Sequence, residues 1–483
     1  MDMKKYILYL AAIFLFTSCE DWLDVKPKSE IEGSELFSTE QGFKDALTGI
    51  YTAMSAESLY GCEMTYGLVD VIGDAYYSGA IYSGTAYAYA RNHQYDQTNV
   101  ETLINSIWQG CYNAIATINN ILENLEQADS TMFAADNYNV IKGELLGLRA
   151  FLHFDLLRLF SPSYAVGATE NAIPYVTTYG YEITPQSTVS EVIDYILADL
   201  EEAADCLETS DPILTGREIT AADDNGYLLN RQYHFNYYAV IATMANVYLY
   251  KGDHANARKY ALEVIDSGKF PWTSVDDIAT SSVADRDRTF TSEQIFALQI
   301  TDLNDYVLGK VYGTIQYRVQ LAIYSYWIDY AIWPAETHAT DWRKVYFVTN
   351  EGTQSTSYYT TSKLWQEDMN ENYVQRMPLI RLPEMYLILA EADAENGAEY
   401  LNTIREHRGV TAKVTATGEA LLDEVGLETY REFINEGKLF YWYKRLNRTM
   451  HWGGYYFENT VQFNPDLYVL PMPEEEIEFG NRN

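Results

Sequence analysis

The 483-residue sequence predicts a mainly α-helical protein with long irregular loops and a few short strands. Three observations support this prediction. One stretch is apolar around most of a helix circumference, three other segments repeat apolar residues at helical spacing, and two segments have the pattern of helical hairpins. Together these patterns are typical of helices that stack around a shared core.

Residues 143–160, GELLGLRAFLHFDLLRLF, are the most strongly apolar helical stretch. On a helix, Glu144, Asp155 and Arg158 share one narrow stripe, with Asp155 and Arg158 one turn apart. Arg149 lies opposite that stripe, inside the apolar surround. Because a buried charge needs a partner, we expect a carboxylate or helix-end carbonyl groups to meet Arg149. The stretch therefore predicts a helix buried among other helices.

Three Ser/Thr-x-x-Glu/Gln sequences predict helix N-termini, at residues 38–41, 98–101 and 188–191. In such a capping box, the two side chains satisfy each other's backbone N–H groups. Each of the three precedes a run of apolar residues at helical spacing. We therefore expect long helices to begin near residues 38, 98 and 188.

Two segments predict helical hairpins of the tetratricopeptide type. In residues 234–267, Ala245, Tyr248 and Ala257 stand where such a repeat has a small residue, a tyrosine and the alanine of its second helix. Residues 381–408 are a looser copy of the same pattern. The predicted fold is therefore a tetratricopeptide-like scaffold of helical hairpins, with limited repetition and not a long solenoid.

The sequence predicts one structural domain, residues 36–483. Its helical scaffold covers about residues 36–268 and 380–446, and a loop-rich region covers about residues 272–375. Within that region, residues 293–300 have the pattern of a buried strand. Long irregular segments on a helical scaffold often carry function, so we expect the binding region there.

The N-terminus predicts export and a lipid anchor. Residues 1–18 have a short basic start and an apolar run too short to span a bilayer, as in a signal peptide. Cys19 follows Thr17 and Ser18, as in a bacterial lipobox, where the cysteine carries a diacylglycerol. Residues 19–35 are acidic and without clear periodicity, which predicts a tether between the anchor and the folded body.

The chain is strongly acidic, with 69 acidic and 33 basic residues and a formal net charge of -36. Such a surface repels phosphate backbones, which disfavours nucleic-acid binding. Tyrosine is unusually common, with 43 Tyr against 18 Phe. Tyrosine suits wet binding surfaces because it joins an apolar ring to a hydroxyl, although most of these residues are expected simply to fill half-buried positions.

The remaining reactive residues do not predict an enzyme, a cofactor or a conventional metal site. The sequence contains no HExxH, GxSxG or Walker motif, and its seven histidines are scattered. A structural calcium at the acidic pair Asp285 and Asp287 stays possible, although no EF-hand loop is present. Cys62, Cys111 and Cys206 could include one disulfide or remain buried free thiols.

Five sequence motifs occur in order along almost the whole mature chain. They are the lipobox followed by SCEDWLDVKPKSEI, FSTEQGFKDALTGIY, GELLGLRAFLHFDLLRLF with Ile173-Pro174 soon after, the pair PLIRLPEMYLILAEADAENG and YREFINEGKLFYWYKRLNR, and the tail YVLPMPEEEIEFGNRN. In this combination the chain resembles the SusD/RagB family of Bacteroidetes outer-membrane lipoproteins.

The resemblance implies a surface-exposed lipoprotein of the outer membrane, anchored through Cys19, that captures nutrient for a SusC-like TonB-dependent transporter. The nutrient in this family is most often a glycan, and the acidic run after Cys19 is similar to the signal for the outer face. Two alternatives remain open. The same architecture could capture peptides, or a secreted glycan-cleaving enzyme could use this scaffold, since carboxylates are abundant.

Two aromatic patches are the candidate ligand-binding surface. Aromatic rings can cover the apolar face of a sugar, while nearby carboxylates and amides bind its hydroxyls. For any one of these residues, packing within a loop is the simpler interpretation. The candidates are Asp74, Tyr76, Tyr77 and Tyr82 from the first patch and Trp327, Trp333 and Trp342 from the second.

Overall fold

The computed structural model describes residues 35–219, 226–313, 319–349, 358–366, 369–393, 395–449 and 464–482. The predicted signal peptide, Cys19 and all of the predicted tether except residue 35 lie outside the described residues. The described helices include α1 (Glu40–Met54), α2 (Leu68–Ile72), α3 (Ala86–Arg91), α4 (Thr98–Gln127), α5 (Asn137–Phe160), α6 (Tyr164–Gly167), α7 (Val189–Glu208), α8 (Pro212–Thr215), α9 (Tyr237–Lys251), α10 (His254–Asp266), α11 (Val275–Ala279), α12 (Leu303–Val307), α13 (Ser325–Trp327), α14 (Ala335–His338), α15 (Trp342–Phe347), α16 (Leu382–Ala392), α17 (Gly397–Glu406), α18 (Glu419–Phe433), α19 (Leu439–Leu446) and α20 (Glu474–Phe479).

The long helices pack in a series that confirms the predicted helical fold. Helix α1 packs on α4, α4 on α5, α5 on α7, α7 on α9, α9 on α10, α10 on α16 and α16 on α17. Three of these seven pairs, α4–α5, α9–α10 and α16–α17, are consecutive in the chain, as in helical hairpins. Among the described residues, no helix is both long and apolar enough to cross a membrane.

Helix α5 contains the apolar stretch at residues 143–160 and is buried along most of its length. The expected carboxylate partner of Arg149 is Asp199 on α7, which accepts two hydrogen bonds from the guanidinium, each 2.7 Å long. Arg158 pairs with Asp155 as the spacing predicts. Helix α5 therefore buries its charges by pairing them, which offsets the cost of removing them from water.

The predicted hairpin at residues 234–267 is confirmed as α9 and α10. Gly252 ends α9 at φ +79°, a left-handed conformation that favours glycine, and Asp253 caps α10 by accepting a hydrogen bond from the Asn256 N–H at 3.1 Å. The looser copy contains α16 and α17, although residues 376–381 before it form a strand.

Only one of the three predicted capping boxes has the expected geometry, the one that Thr188 and Glu191 form at the start of α7. The other two capping boxes are wrong, although their helices begin near the expected residues, at Glu40 and Thr98. Thr39, not Ser38, caps α1, and α4 begins at Thr98 itself, so that Gln97 is its N-cap residue. Sequence motifs of this kind leave the exact helix start uncertain by a residue or two.

The strands are short and form three small antiparallel sheets among the described residues. The predicted strand at residues 293–300 is confirmed, and it pairs with a strand just before α16. The sheet orders are β1-β2, β3-β7 and β4-β6-β5. The strands are β1 (Asn171–Pro174), β2 (Gln186–Thr188), β3 (Gln294–Gln299), β4 (Ile323–Tyr324), β5 (Val348–Thr349), β6 (Tyr358–Thr361) and β7 (Arg376–Arg381).

A buried network of ion pairs joins the loop-rich region to the scaffold. Glu432 on α18 accepts two hydrogen bonds from Arg408, of 2.8 and 2.9 Å, one from Arg381 on β7 at 2.6 Å, and one from Arg343 on α15 at 3.0 Å. Arg408 also donates to Glu293, at 2.7 and 3.0 Å. All five side chains are fully buried or nearly so. We call this set the arginine–glutamate network.

The arginines of this network hold Glu432 ionised. Burial by itself would raise the pKa of Glu432, but Arg408 and Arg381 outweigh that effect and hold the pKa well below its usual range. A negative charge at this position therefore compensates several buried positive charges, and the network depends on it.

The three cysteines of the described region, Cys62, Cys111 and Cys206, are free thiols. Cys62 and Cys111 are buried, and burial raises the pKa of both thiols well above the usual range. Of the two alternatives, the structure therefore shows free thiols.

We expect His153, buried on α5, to make stability fall with acidification. Its Nε2 accepts a hydrogen bond from the Val176 N–H at 3.0 Å, and its Nδ1 lies 2.8 Å from the Arg149 carbonyl oxygen. Burial lowers the pKa of His153 to about 3. The unfolded chain takes up this proton first, so stability is lost as pH falls from about 6.5 towards 3.

At pH 5, this effect should reach about 2 kcal/mol of the free energy of unfolding relative to pH 7.5. Urea unfolding at both pH values measures it, and His153→Gln should remove it. His254→Gln, at an exposed position on α10, is the matched control and should keep the wild-type pH dependence. An unchanged pH dependence in His153→Gln would contradict the assignment.

Candidate ligand-binding site

The two aromatic patches of the sequence meet in the structure. The Tyr77 N–H donates a hydrogen bond to the Ala322 carbonyl oxygen at 2.9 Å, which holds the first patch against β4. The Tyr77 ring stacks on Tyr324, with ring centroids 4.7 Å apart, and lies 5.4 Å from the ring of Tyr358. Tyr324 and Tyr358 are paired across β4 and β6. Three separate chain segments therefore contribute one ring each.

The row of rings continues towards solvent. The Tyr326 ring lies 6.1 Å from Tyr324 and 4.4 Å from Tyr330. Tyr326 and Tyr330 share a face because α13 continues into the π-helical turn Ile328–Ile332, where residues four apart are neighbours. Their exposed fractions are 44% and 69%. We call Tyr77, Tyr324, Tyr326, Tyr330 and Tyr358 the tyrosine cluster.

A charged pair adjoins the tyrosine cluster. Asp329, next to Tyr330 in the chain, accepts a hydrogen bond from the Tyr359 hydroxyl at 3.1 Å and pairs with Lys344 at 2.9 Å. Both charged side chains are partly exposed. The surface therefore combines flat apolar rings with hydroxyl, carboxylate and ammonium groups, which is the combination that polyhydroxylated ligands require.

Tyr76 and Trp333 are each 1% exposed and belong to the core. The Tyr76 hydroxyl donates to the Tyr66 carbonyl oxygen and accepts from the Asn435 amide, both at 2.8 Å. A ligand at the surface would not reach either ring. These two predicted site residues therefore do not join the tyrosine cluster.

The four remaining predicted residues are not members of the tyrosine cluster. Asp74 is buried, has φ +56° and pairs with Arg91. Trp342 packs against the turn at Gly409, where an added Cβ would lie 2.4 Å from the indole nitrogen. Tyr82 is 38% exposed, on the same loop as Tyr77, and Trp327 is half-buried against the core.

The sequence singled out Tyr77 and missed the four other rings. Tyr324, Tyr326 and Tyr358 stand within the aromatic-rich region, but nothing in the sequence ranks them above its tryptophans. The spacing of four between Tyr326 and Tyr330 is the one local feature that could have indicated a shared face. Segments 314–318 and 350–357, next to the cluster in sequence, lie outside the described residues.

The structure gives no metal-binding group in its described part: no three His, Cys, Asp or Glu side chains there are placed to hold an ion together. At the predicted calcium pair, Asp287 accepts hydrogen bonds of 2.7 Å from both the backbone N–H and the hydroxyl of Thr291. Asp285 accepts from the Asn370 amide at 3.3 Å. Calcium binding at this pair stays a prediction.

Comparison with protein families agrees with the sequence motifs. A family described as "Starch-binding associating with outer membrane" matches residues 21–249, and the SusD family matches residues 289–478. The first description associates that family with carbohydrate and with the outer membrane.

Curated relatives and solved structures give the same result. SusD-like protein P2 of Formosa agariphila is 25% identical over 272 residues, 55% of this chain and 47% of the relative. SusD-like protein P38 of that organism is 23% identical over 56% of this chain and 48% of the relative. The match thus spans about half the length of these curated relatives.

The fold extends further than these sequence matches. The structure of a SusD superfamily protein from Bacteroides thetaiotaomicron has a TM-score of 0.73 at 22% identity, covering 92% of this chain and 99% of that one. A structure described as a SusD-like carbohydrate binding protein from Bacteroides vulgatus has a TM-score of 0.71 at 20% identity, covering 92% and 96%. The chain belongs to the SusD/RagB family.

Proposed function

We propose that this protein captures a glycan at the outer face of the outer membrane and delivers it to a SusC-like TonB-dependent transporter. The observation that supports this most is the tyrosine cluster, in which Tyr326 and Tyr330 present neighbouring, exposed rings with centroids 4.4 Å apart. A row of flat rings suits a chain of sugar residues, because each ring can cover the apolar face of one sugar. Asp329, which precedes Tyr330 in the chain, and its partner Lys344 are both partly exposed and can bind sugar hydroxyls.

The anchor and the partners of the protein are part of this proposal. Cys19 carries the lipid that holds the protein at the membrane, and the acidic residues after it direct the protein outward. The net charge of -36 supports a neutral glycan over a sulfated or uronate-rich one, since like charges repel. It also argues against nucleic acid as a ligand.

We further propose that the protein binds without catalysis and needs no cofactor. The carboxylate beside the rings, Asp329, is occupied by Lys344 and by the Tyr359 hydroxyl. A glycosidase would need a second, opposed carboxylate to work with it. The tyrosine cluster itself contributes rings and hydroxyls only.

A binding panel tests the proposal. The mature chain, with Cys19 replaced so that it is soluble, is titrated with neutral polysaccharides, acidic polysaccharides and a protein digest, and the same samples are analysed for cleavage products. We expect binding to at least one neutral glycan, with no shorter products. Binding only to peptides would replace this proposal with peptide capture, and product release would replace it with a glycan-cleaving enzyme.

Delivery is tested by co-purification. When the full-length protein is solubilised from the outer membrane in mild detergent, a TonB-dependent transporter should accompany it. Recovery of the protein without any transporter, under conditions that keep other outer-membrane complexes intact, would contradict this part of the proposal.

A further inference from the structure

A cavity of about 760 Å³ lies between α1, the turn Arg231–Tyr233 and the end of β3. This volume is within the range of about 300–1,000 Å³ that is typical of small-molecule sites. No member of the tyrosine cluster is among the described residues that line it, and most of those residues carry hydroxyl, amide or imidazole groups. The cavity is therefore a distinct polar site.

Several polar groups in the cavity lining are available to a ligand. The hydroxyls of Tyr233 and Tyr306 and the amide of Asn230 have no hydrogen-bond partner in the described part of the chain. His234 contributes a fourth group, because its Nδ1 lies 3.0 Å from the Glu144 carboxylate and its Nε2 has no partner there. Convergent polar groups of this kind are what fix the orientation of a bound ligand.

The side chains beneath the cavity are already held by hydrogen bonds to one another. Glu144, which holds His234, also accepts hydrogen bonds from the Tyr51 hydroxyl at 2.7 Å and from Arg231 at 2.5 Å. Arg231 in turn donates two hydrogen bonds of 2.9 Å to Asp211. Because these side chains are already paired, the His234 ring is held in place and little ordering cost remains for binding.

The lining also indicates the class of ligand. The described residues that line the cavity include the carboxylate of Asp302 and no Lys or Arg, so a phosphate, sulfate or carboxylate would meet like charge and find no cation there. An apolar ligand would leave the hydroxyls and the imidazole without partners. A neutral ligand rich in hydroxyls satisfies both conditions. The ring of Tyr306, and the face of the Tyr233 ring that Arg376 does not cover, can contact its apolar faces.

We infer that this cavity is a second saccharide site, which takes a neutral sugar as small as a mono- to trisaccharide. The inference does not depend on the tyrosine cluster, since the two sites share no described residue. With two sites, the protein would hold one glycan chain at two points or two separate sugars, and either arrangement raises the local concentration of ligand.

The test separates the two sites by mutation. In the mature chain, Tyr326→Ala/Tyr330→Ala disables the tyrosine cluster. Calorimetric titration of this variant with maltotriose, cellotriose, xylotriose and mannotriose, each up to about 10 mM, should still show one binding site for at least one sugar. Adding Tyr233→Phe and Tyr306→Phe, which keep the rings and remove only the hydroxyls, should weaken that residual binding by at least tenfold, with an unchanged Tm.

Three results would refute the second saccharide site, and each can be told apart from a failure of the proposed glycan capture. Residual binding that the added substitutions do not change would show that the cavity is not the second site. If the wild type binds a trisaccharide and the cluster variant binds none, the second site is refuted while glycan capture stands. If the residual site takes tripeptides but none of the four sugars, its assignment to saccharides is refuted.

Discussion

Glu432→Gln is expected to destabilise the fold by about 3–5 kcal/mol, the largest stability effect of any single substitution considered. The substitution keeps the size and shape of the side chain but removes the negative charge that Arg408, Arg381 and Arg343 share. Three buried guanidinium groups would then have less compensating charge, and water cannot replace it because the side chains are fully buried or nearly so.

Urea unfolding of the mature chain at pH 7.5 measures this effect. The matched control is Glu419→Gln, which removes the carboxylate that pairs with Arg448 at 2.5 Å on the surface. Because the Glu419 side chain is 87% exposed, water screens that pair, and the control should cost less than about 1 kcal/mol. Equal effects for the two variants would show that the buried network contributes no more than a surface pair.

Tyr326→Ala/Tyr330→Ala should weaken glycan binding at the tyrosine cluster by about 100-fold. Each ring is expected to cover roughly 60 Å² of apolar sugar surface, which contributes about 1.5 kcal/mol, and two rings contribute about twice that. The two side chains are 44% and 69% exposed, so their loss should leave the fold intact. Titration with the best ligand from the panel, together with a thermal melt, measures both effects.

Tyr181→Ala is the control for this double variant. Tyr181 is a fully exposed tyrosine on the loop between β1 and β2 and is not part of the tyrosine cluster. Its replacement should leave the affinity unchanged. If Tyr181→Ala and the double variant reduced the affinity equally, binding would depend on surface tyrosine in general and not on this cluster.

The helical scaffold could be predicted from the spacing of apolar residues, because that spacing is visible within each short segment of sequence. Residues 143–160 are buried on all sides because apolar residues occupy most of the helix circumference. A carboxylate partner for Arg149 was predicted because an unpaired buried charge is costly, and Asp199 is that partner. Helix starts were less accurate, since Ser38 and Thr39 compete for one position and only the backbone geometry decides between them.

Long-range pairing could not be predicted in the same way. Glu293 and Arg408 are 115 residues apart, and many carboxylates in the sequence could have paired with either. The candidate site has the same difficulty. Tyr76 and Tyr77 are adjacent residues of the same type, yet the Tyr76 ring lies in the core and the Tyr77 ring stacks on Tyr324. Which ring faces outward depends on β4, about 250 residues further along the chain.

The most direct test of the proposed function is a crystal structure of the mature chain with the tightest neutral oligosaccharide from the panel. We expect sugar rings stacked on Tyr326 and Tyr330, with hydroxyls in contact with Asp329 or Lys344. An oligosaccharide bound elsewhere, with the tyrosine cluster uncovered, would contradict the proposed function.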